Sequence, residues 1–303
     1  MPRLNIYLPA DVYELADRWR EKANLSEICA RAIRDELEAV AAHRTAPSLA
    51  TLLRAPTPLE ARLVRRFHLA EALVVEAPAE ESERRETLGR AAAQYLDRNL
   101  GDGAELAIAG GRQSWCVARN LSPRRLRLAI TALGYNQADP HLLHVHANTL
   151  TTLLWLLYSP RSVAHLIGAG AAPAPWSGPL PRREDVSYFL VASCAPLDRR
   201  APFARLLGED AVTALIARGA LGDFAYLFFD AAGKIVPGPE SASQSIIPAP
   251  RLRALAQRDD ARLMLVAGGE EKLAAMRQTL RLGLANMVIT DTETAERLLE
   301  ERQ

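Results

Sequence analysis

Apolar and polar positions alternate from Arg3 to Leu8, with Leu4, Ile6 and Leu8 on one face and Arg3, Asn5 and Tyr7 on the other, which predicts a short strand ended by Pro9. Val12, Leu15, Ala16 and Trp19 then recur at helical spacing. After a break at Ala23-Asn24, a second helical set follows with Leu25, Ile28, Cys29, Ala32, Leu37 and Val40. Ser26 is a candidate N-cap of that second helix, and Asn24 competes for the role. One strand and two helices within residues 1–42 cannot bury a core alone, so a partner chain is expected. Residues 43–58, HRTAPSLATLLRAPTP, hold three prolines and no long period, and read as a linker.

From Leu59 the pattern changes to alternating helices and strands. Helices are expected at 59–68 and 83–100, and strands at 72–76, 105–109, 126–133, 142–147, 186–193, 262–267 and 286–290. Such alternation predicts an α/β fold, a mostly parallel sheet covered on both faces. The segment 224–236, FAYLFFDAAGKIV, reads instead as a hairpin turning at Ala232-Gly233. The chain of 303 residues therefore divides into a small domain at 1–42, a linker at 43–58 and a large domain at 59–303.

Composition narrows the function classes. Hydrophobic residues make up 49% and charged residues 24%, which excludes a disordered or collagenous chain. No apolar run reaches 18 residues and the start lacks a basic region followed by an apolar stretch, so neither a membrane span nor a signal peptide is expected, and the cytoplasm is the expected compartment. A net charge of +1 points to no acidic partner for the chain as a whole, so any such function must come from local geometry. Cys29, Cys116 and Cys194 are widely spaced with no CxxC pair, which argues for buried thiols over disulfides or zinc. Lysine is confined to Lys22, Lys234 and Lys272, and Lys22 and Lys234 read as exposed.

Candidate chemistry gathers at a few places. The strand 105–109 runs into GGRQSWCVARNL, a Gly-Gly turn opening a helix, where close backbone approach, helix-start N–H groups and the side chains of Arg112 and Ser114 suit a phosphate. The turn matches neither the dinucleotide nor the Walker fingerprint, and a plain tight turn is the alternative. His141, His144 and His146 form HxxHxH. On a strand His144 and His146 would share a face while His141 points elsewhere, with no acidic cluster beside them, so no metal is expected. His146 with Asn148 and Thr149 at a strand end is the stronger candidate for ligand contact, with a helix cap by Asn148 as the alternative.

The segment RLNIYLP, the two helices and the step ANLSEICARAI resemble the ribbon-helix-helix family of DNA-binding proteins, over about residues 2–42. The resemblance implies two chains pairing their strands into a ribbon in the major groove, with Arg3, Asn5 and Tyr7 against bases and the N–H groups of Ser26 and Glu27 holding a phosphate. Residues 1–44 hold seven Lys/Arg and eight Asp/Glu, so non-specific affinity should be weak. A dimerisation arm with a solvated polar face is the alternative.

The stretch VAGGEEKLAAMRQTLRLGLANMVITDTETAERLL resembles the end of the SorC-type sugar-binding domain of bacterial transcriptional regulators. ARGALGDFAYLFFDAAGKIV is similar to that family's Gly-Asp segment and Asp-x-x-Gly hairpin, and AIAGGRQS stands in place of its effector-phosphate loop. The resemblance implies a Rossmann-like domain that binds a phosphorylated sugar or related metabolite. Gly110, Gly111, Arg112, Gln113 and Ser114 would cradle the phosphate, Lys272 would add a cation, and Asp223 would accept from sugar hydroxyls. Arg112 and Gln113 stand where the family has small hydroxyl residues, and the histidine-rich middle section is less typical.

The function expected is therefore an effector-controlled regulator, a repressor before an activator, binding an operator in double-stranded DNA as a homodimer or homotetramer and needing no cofactor. The rival is a sugar-phosphate isomerase or deaminase-like enzyme with Asp223 or Asp291 as base and Lys272 as electrophile, although Asp291 is equally an N-cap of the last helix.

Overall fold

The structure, a computed structural model, describes residues 55–136, 140–158, 161–168, 186–197, 202–239 and 244–300. The expected ribbon-helix-helix segment, with Arg3, Asn5, Tyr7, Ser26 and Glu27, lies outside the described residues, as does most of the expected linker.

Helix α1 (Pro58–Phe67) starts at a capping box in which Thr57 and Glu60 satisfy each other's backbone N–H, with Pro58 in the first turn. The buried Glu60 carboxylate also accepts the Val74 N–H at 2.8 Å, which ties α1 to strand β1 (Glu71–Val75). Helix α2 (Glu81–Asn99) follows, its Leu88, Ala91, Ala92, Tyr95 and Leu96 buried, and leads to β2 (Glu105–Ala109), buried at every position. After helix α3 (Arg112–Ala118) come β3 (Ala129–Tyr135), a 3-10 segment (Pro140–Val145), α4 (Ala147–Tyr158) and the short β4 (Val163–His165).

The second half contributes β5 (Tyr188–Ala192), β6 (Cys194–Pro196), α5 (Pro202–Leu207), α6 (Glu209–Ala217), β7 (Ala220–Phe224), β8 (Leu227–Asp230) and β9 (Ile235–Val236). It ends with β10 (Gln244–Ser245), α7 (Ala249–Ala256), β11 (Ala261–Val266), a 3-10 turn at Glu270–Lys272, α8 (Leu273–Arg281), β12 (Met287–Asp291) and α9 (Thr292–Leu299).

The main sheet runs β1-β12-β11-β5-β2-β3, every pair parallel, with β4 parallel and β10 antiparallel on β3. Side chains alternate between two apolar layers: Leu190, Ala192, Leu263 and Leu265 join one, and Phe189, Val191, Met264 and Val266 the other. Both faces are thus covered, which is why these strands read as unbroken apolar runs. From β2 the chain moves outward to β3, and from β5 it moves the opposite way to β11 and β12. The β2/β5 boundary is therefore the topological switch point, where a crevice opens beyond the carboxyl ends of the strands.

A second, antiparallel sheet, β6-β7-β8-β9, has its own core of Phe203, Leu207, Val212, Leu215, Phe228 and Val236. The expected turn at Ala232-Gly233 joins β8 to β9. The sheet also contains a hairpin that the sequence reading lacks, a two-residue loop of Ala225 and Tyr226 between β7 and β8.

The strand expected at 142–147 is not formed. Its residues fold as the 3-10 segment and the first residue of α4, because the β3 edge it would need is taken by β4 and β10, and His146 instead starts the helix by accepting the Leu150 N–H. A short apolar run is ambiguous between strand and helix by periodicity alone.

Candidate functional site

A cavity of about 480 Å³ opens at the switch point, lined by Ala109 at the end of β2, Gly110 and Gly111 after it, and Ser193 to Pro196 after β5. The 3-10 segment, α5, the Ala225-Tyr226 turn, the start of α2 and the Glu271-Lys272 turn complete its walls.

The Gly-Gly turn works differently from the phosphate cradle expected of it. The Gly110 N–H donates to Leu133 O at 3.3 Å and the Gly111 N–H to Val145 O at 2.8 Å, so neither amide is free for an anion. Gly110 has to be glycine because an added Cβ would lie 2.7 Å from the Tyr226 hydroxyl and 3.1 Å from Val145 O. Gly111 adopts φ 132°, a conformation that side chains other than glycine's rarely take. The available donors are the N–H groups of Arg112, Gln113 and Ser114 in the first turn of α3, which have no intrahelical acceptor.

The side chains in that turn divide by role. Arg112 is exposed and lines the cavity. Gln113 is buried and donates from Nε2 to Arg85 O at 2.9 Å, which fastens α3 to α2. Ser114 is buried, makes no side-chain hydrogen bond and lies off the cavity lining.

Lys272 lines the cavity from the turn before α8, next to Glu271. Arg85 lines it from α2, paired with Glu81 one turn earlier. Sequence reasoning missed Arg85 and Glu81 because they sit in a charged stretch at the start of a helix with no motif.

Asp223 is the buried acid of the site, 4% exposed. Its Oδ1 accepts the Ala195 N–H at 3.0 Å and its Oδ2 the Tyr226 N–H at 2.9 Å. Burial outweighs those two bonds and pushes its pKa up to about 7. The carboxyl therefore stands near half protonation at neutral pH, able to donate to or accept from a ligand hydroxyl. Cys194, buried beside it, has its pKa pushed up to about 12 by burial, so the thiol stays protonated and is no nucleophile. Cys116 is likewise buried, and Cys29 lies outside the described residues.

Tyr226 is the largest residue that sequence reasoning missed here. Both residues of its turn have positive φ, 50° for Ala225 and 65° for Tyr226, the conformation of a type I′ hairpin. Ala-Tyr carries none of the Asn-Gly signal for such turns. Non-glycine residues pay roughly 1–2 kcal/mol each for it. The Asp223 bond to the Tyr226 N–H holds the turn in place and brings the ring against Gly110.

The histidines separate. The ring of His146 borders the cavity, but Nδ1 accepts the Asn148 N–H at 3.3 Å and Nε2 lies 3.1 Å from Tyr135 O, so Nε2 carries the proton and both nitrogens are committed. His146, rather than Asn148, caps α4. The Asn148 amide is off the cavity and clamps the Ile167 backbone with two hydrogen bonds, 2.8 and 3.1 Å. His144 packs edge-on against Trp115 at 5.6 Å. Among the described residues no group of three or more His, Cys, Asp or Glu could hold a metal ion.

Asp291 also lies off the cavity lining. It caps α9, accepting the Thr294 N–H at 2.9 Å and its hydroxyl at 2.8 Å, while the same hydroxyl accepts the Gly269 N–H at 2.8 Å. Of the two acids weighed as a base, the structure brings only Asp223 to the cavity with Lys272.

Most of the residues that line the cavity fall within a known domain. The family described as "Putative sugar-binding domain" matches residues 53–153 and 196–300. The chain belongs to this family. Both matched stretches of the sugar-binding domain meet at the cavity, the first bringing Arg85, Arg112 and His146, the second Asp223, Tyr226 and Lys272.

Individual relatives agree in fold. The chain is 23% identical over 263 residues to the "Deoxyribonucleoside regulator" of Bacillus subtilis (strain 168), covering 79% of this chain and 78% of that protein. The full-length sorbitol operon regulator SorC from Klebsiella pneumoniae has a solved structure that superposes with a TM-score of 0.62 at 24% identity, over 82% of each chain. A DeoR family transcriptional regulator from Listeria monocytogenes superposes with a TM-score of 0.62 at 17% identity, covering 81% of this chain and all of that one. Among the described residues of the sugar-binding domain no helix is long and apolar enough to cross a membrane.

Proposed function

We propose that the protein is a DNA-binding transcriptional regulator, acting as a repressor, whose effector is a phosphorylated sugar or related metabolite bound in the switch-point cavity. The observation that carries this reading is the meeting, in one cavity of the sugar-binding domain, of two cations that make no ion pair among the described residues, Arg112 and Lys272, with the buried carboxyl of Asp223. Arg112, Lys272 and the first-turn N–H groups of α3 would hold the phosphate, and Asp223 would bond sugar hydroxyls. The names of the relatives, regulators of the deoxyribonucleoside and sorbitol systems, support the regulator class.

In this reading residues 1–42 form the ribbon-helix-helix reader, paired between two chains of a homodimer or homotetramer, and residues 43–58 link it to the effector domain. The protein would act in the cytoplasm on an operator in double-stranded DNA. Ligand and DNA affinities then change each other by one common factor, typically about 5- to 150-fold.

The test is fluorescence anisotropy of operator DNA at fixed salt, with and without saturating sugar phosphate, while the ligand is followed by mass spectrometry. A changed DNA affinity with intact ligand supports the regulator. Unchanged affinity beside steady turnover of the ligand overturns it in favour of a sugar-phosphate isomerase, with Asp223 as its acid-base group.

A further inference from the structure

The cavity lining combines two chemistries. Part of it is charged, with Arg85, Arg112 and Lys272 beside the carboxylates of Glu81 and Glu271. Another part is an apolar wall, formed by Leu142 and Val145 of the 3-10 segment, Pro196 of β6, Phe203 and Leu206 of α5, and Tyr226. The Phe203 and Tyr226 rings meet edge to face at 6.0 Å, and Tyr226 meets Tyr135 in the same way at 5.8 Å, so this wall is a fixed surface continuous with the core of the second sheet. The nearby His146 nitrogens are both spent on backbone groups. The Tyr226 hydroxyl adds a hydrogen-bonding group among these apolar side chains.

A bare sugar phosphate presents hydroxyls on every side. Laid against this wall, some of them would lose water and gain no partner, which costs free energy. The cavity, about 480 Å³, falls within the roughly 300–1,000 Å³ typical of sites for larger, drug-sized ligands.

We propose that the effector is a phosphorylated sugar carrying an apolar or planar substituent, with the phosphate at Arg112 and Lys272 and the substituent against Phe203, Leu206 and Tyr226. The proposal rests on the phosphate-binding reading above and narrows it. A nucleoside 5′-monophosphate and an aryl glycoside phosphate share this chemistry.

Calorimetry on the full chain with two matched pairs distinguishes them: ribose 5-phosphate against uridine 5′-monophosphate, and glucose 6-phosphate against phenyl β-glucoside 6-phosphate. The substituted member of at least one pair should bind about tenfold tighter or more, the size of effect an apolar contact gives in a pocket, and the pair that responds identifies the source. Leu142→Ala and Leu206→Ala, at half-buried positions, should shrink that advantage severalfold.

Equal or weaker binding of the substituted member in both pairs overturns the proposal, as does an advantage that both alanine variants leave intact. If unsubstituted sugar phosphates bind through Lys272 and shift DNA affinity while the substituents add nothing, this proposal alone fails. If no phosphorylated compound binds in a way that depends on Arg112 or Lys272, the phosphate-binding reading fails with it.

Discussion

The carboxylate of Asp223 accepts the backbone N–H of Tyr226 at 2.9 Å, and through that one bond a buried acid holds a left-handed turn whose residue Tyr226 lines the cavity. Neither residue explains the other's position alone. The turn is strained without the acid, and the acid is costly to bury without the N–H groups of Tyr226 and Ala195.

This arrangement predicts a pH dependence of stability. Burial raises the Asp223 pKa from 3.8 to about 7, so the protonated form is favoured in the folded state. Its stabilising contribution is complete below the ordinary Asp value and is lost as the pH rises through about 7. Urea melts across that window should show the wild type weakening, and Asp223→Asn should lack this component of the slope. The variant keeps one acceptor oxygen and turns an NH₂ toward the second N–H, so it should be less stable overall by about 1–3 kcal/mol at low pH. A slope unchanged in the variant would assign the titration to another group.

Arg112 and Lys272 in the cavity lining predict selectivity for phosphate. Arg112→Ala and Lys272→Ala should each weaken a sugar phosphate by about tenfold, the scale of a lost charge-assisted hydrogen bond of roughly 1.5–3 kcal/mol, and weaken the unphosphorylated sugar far less. Calorimetry with the matched pair measures the difference. Equal losses for both ligands would mean that these residues shape the cavity without reading a phosphate.

Asp291 predicts the opposite pattern. Asp291→Ala removes the cap of α9 and should cost about 0.5–2 kcal/mol of stability, with ligand affinity preserved. Chemical denaturation and calorimetry on the same preparation separate the two. A large loss of affinity with little loss of stability would place Asp291 in the binding site.

The N-terminal segment carries the prediction about DNA. Deleting residues 1–42 should abolish operator binding while the α/β domain stays folded and still binds its ligand. Arg3→Ala should cost about 1–3 kcal/mol and relax base preference, whereas Ser26→Ala should weaken all sequences alike. Anisotropy against operator and scrambled duplexes reads both effects, and full operator affinity in the truncated chain would rule out the assignment.

The α/β class, the strand at 105–109 and the hairpin at Ala232-Gly233 were legible in the sequence because each depends on local pattern: buried parallel strands are apolar throughout, and a glycine marks a positive φ. The same holds for Asp223, Lys272 and Arg112 as candidates, since a motif keeps its residues together along the chain. Tertiary structure alone decided the rest. The segment 142–147 became a 3-10 turn because other strands occupy the β3 edge, and both ring nitrogens of His146 went to two backbone groups that no local pattern displays. Gly110 proved to make room for Tyr226, 116 positions further along the chain. The apolar wall likewise joins residues from 142 to 226, whose proximity is set by strand order and crossover connections. Those are long-range choices, fixed by which faces bury together, and the period of a single segment does not encode them.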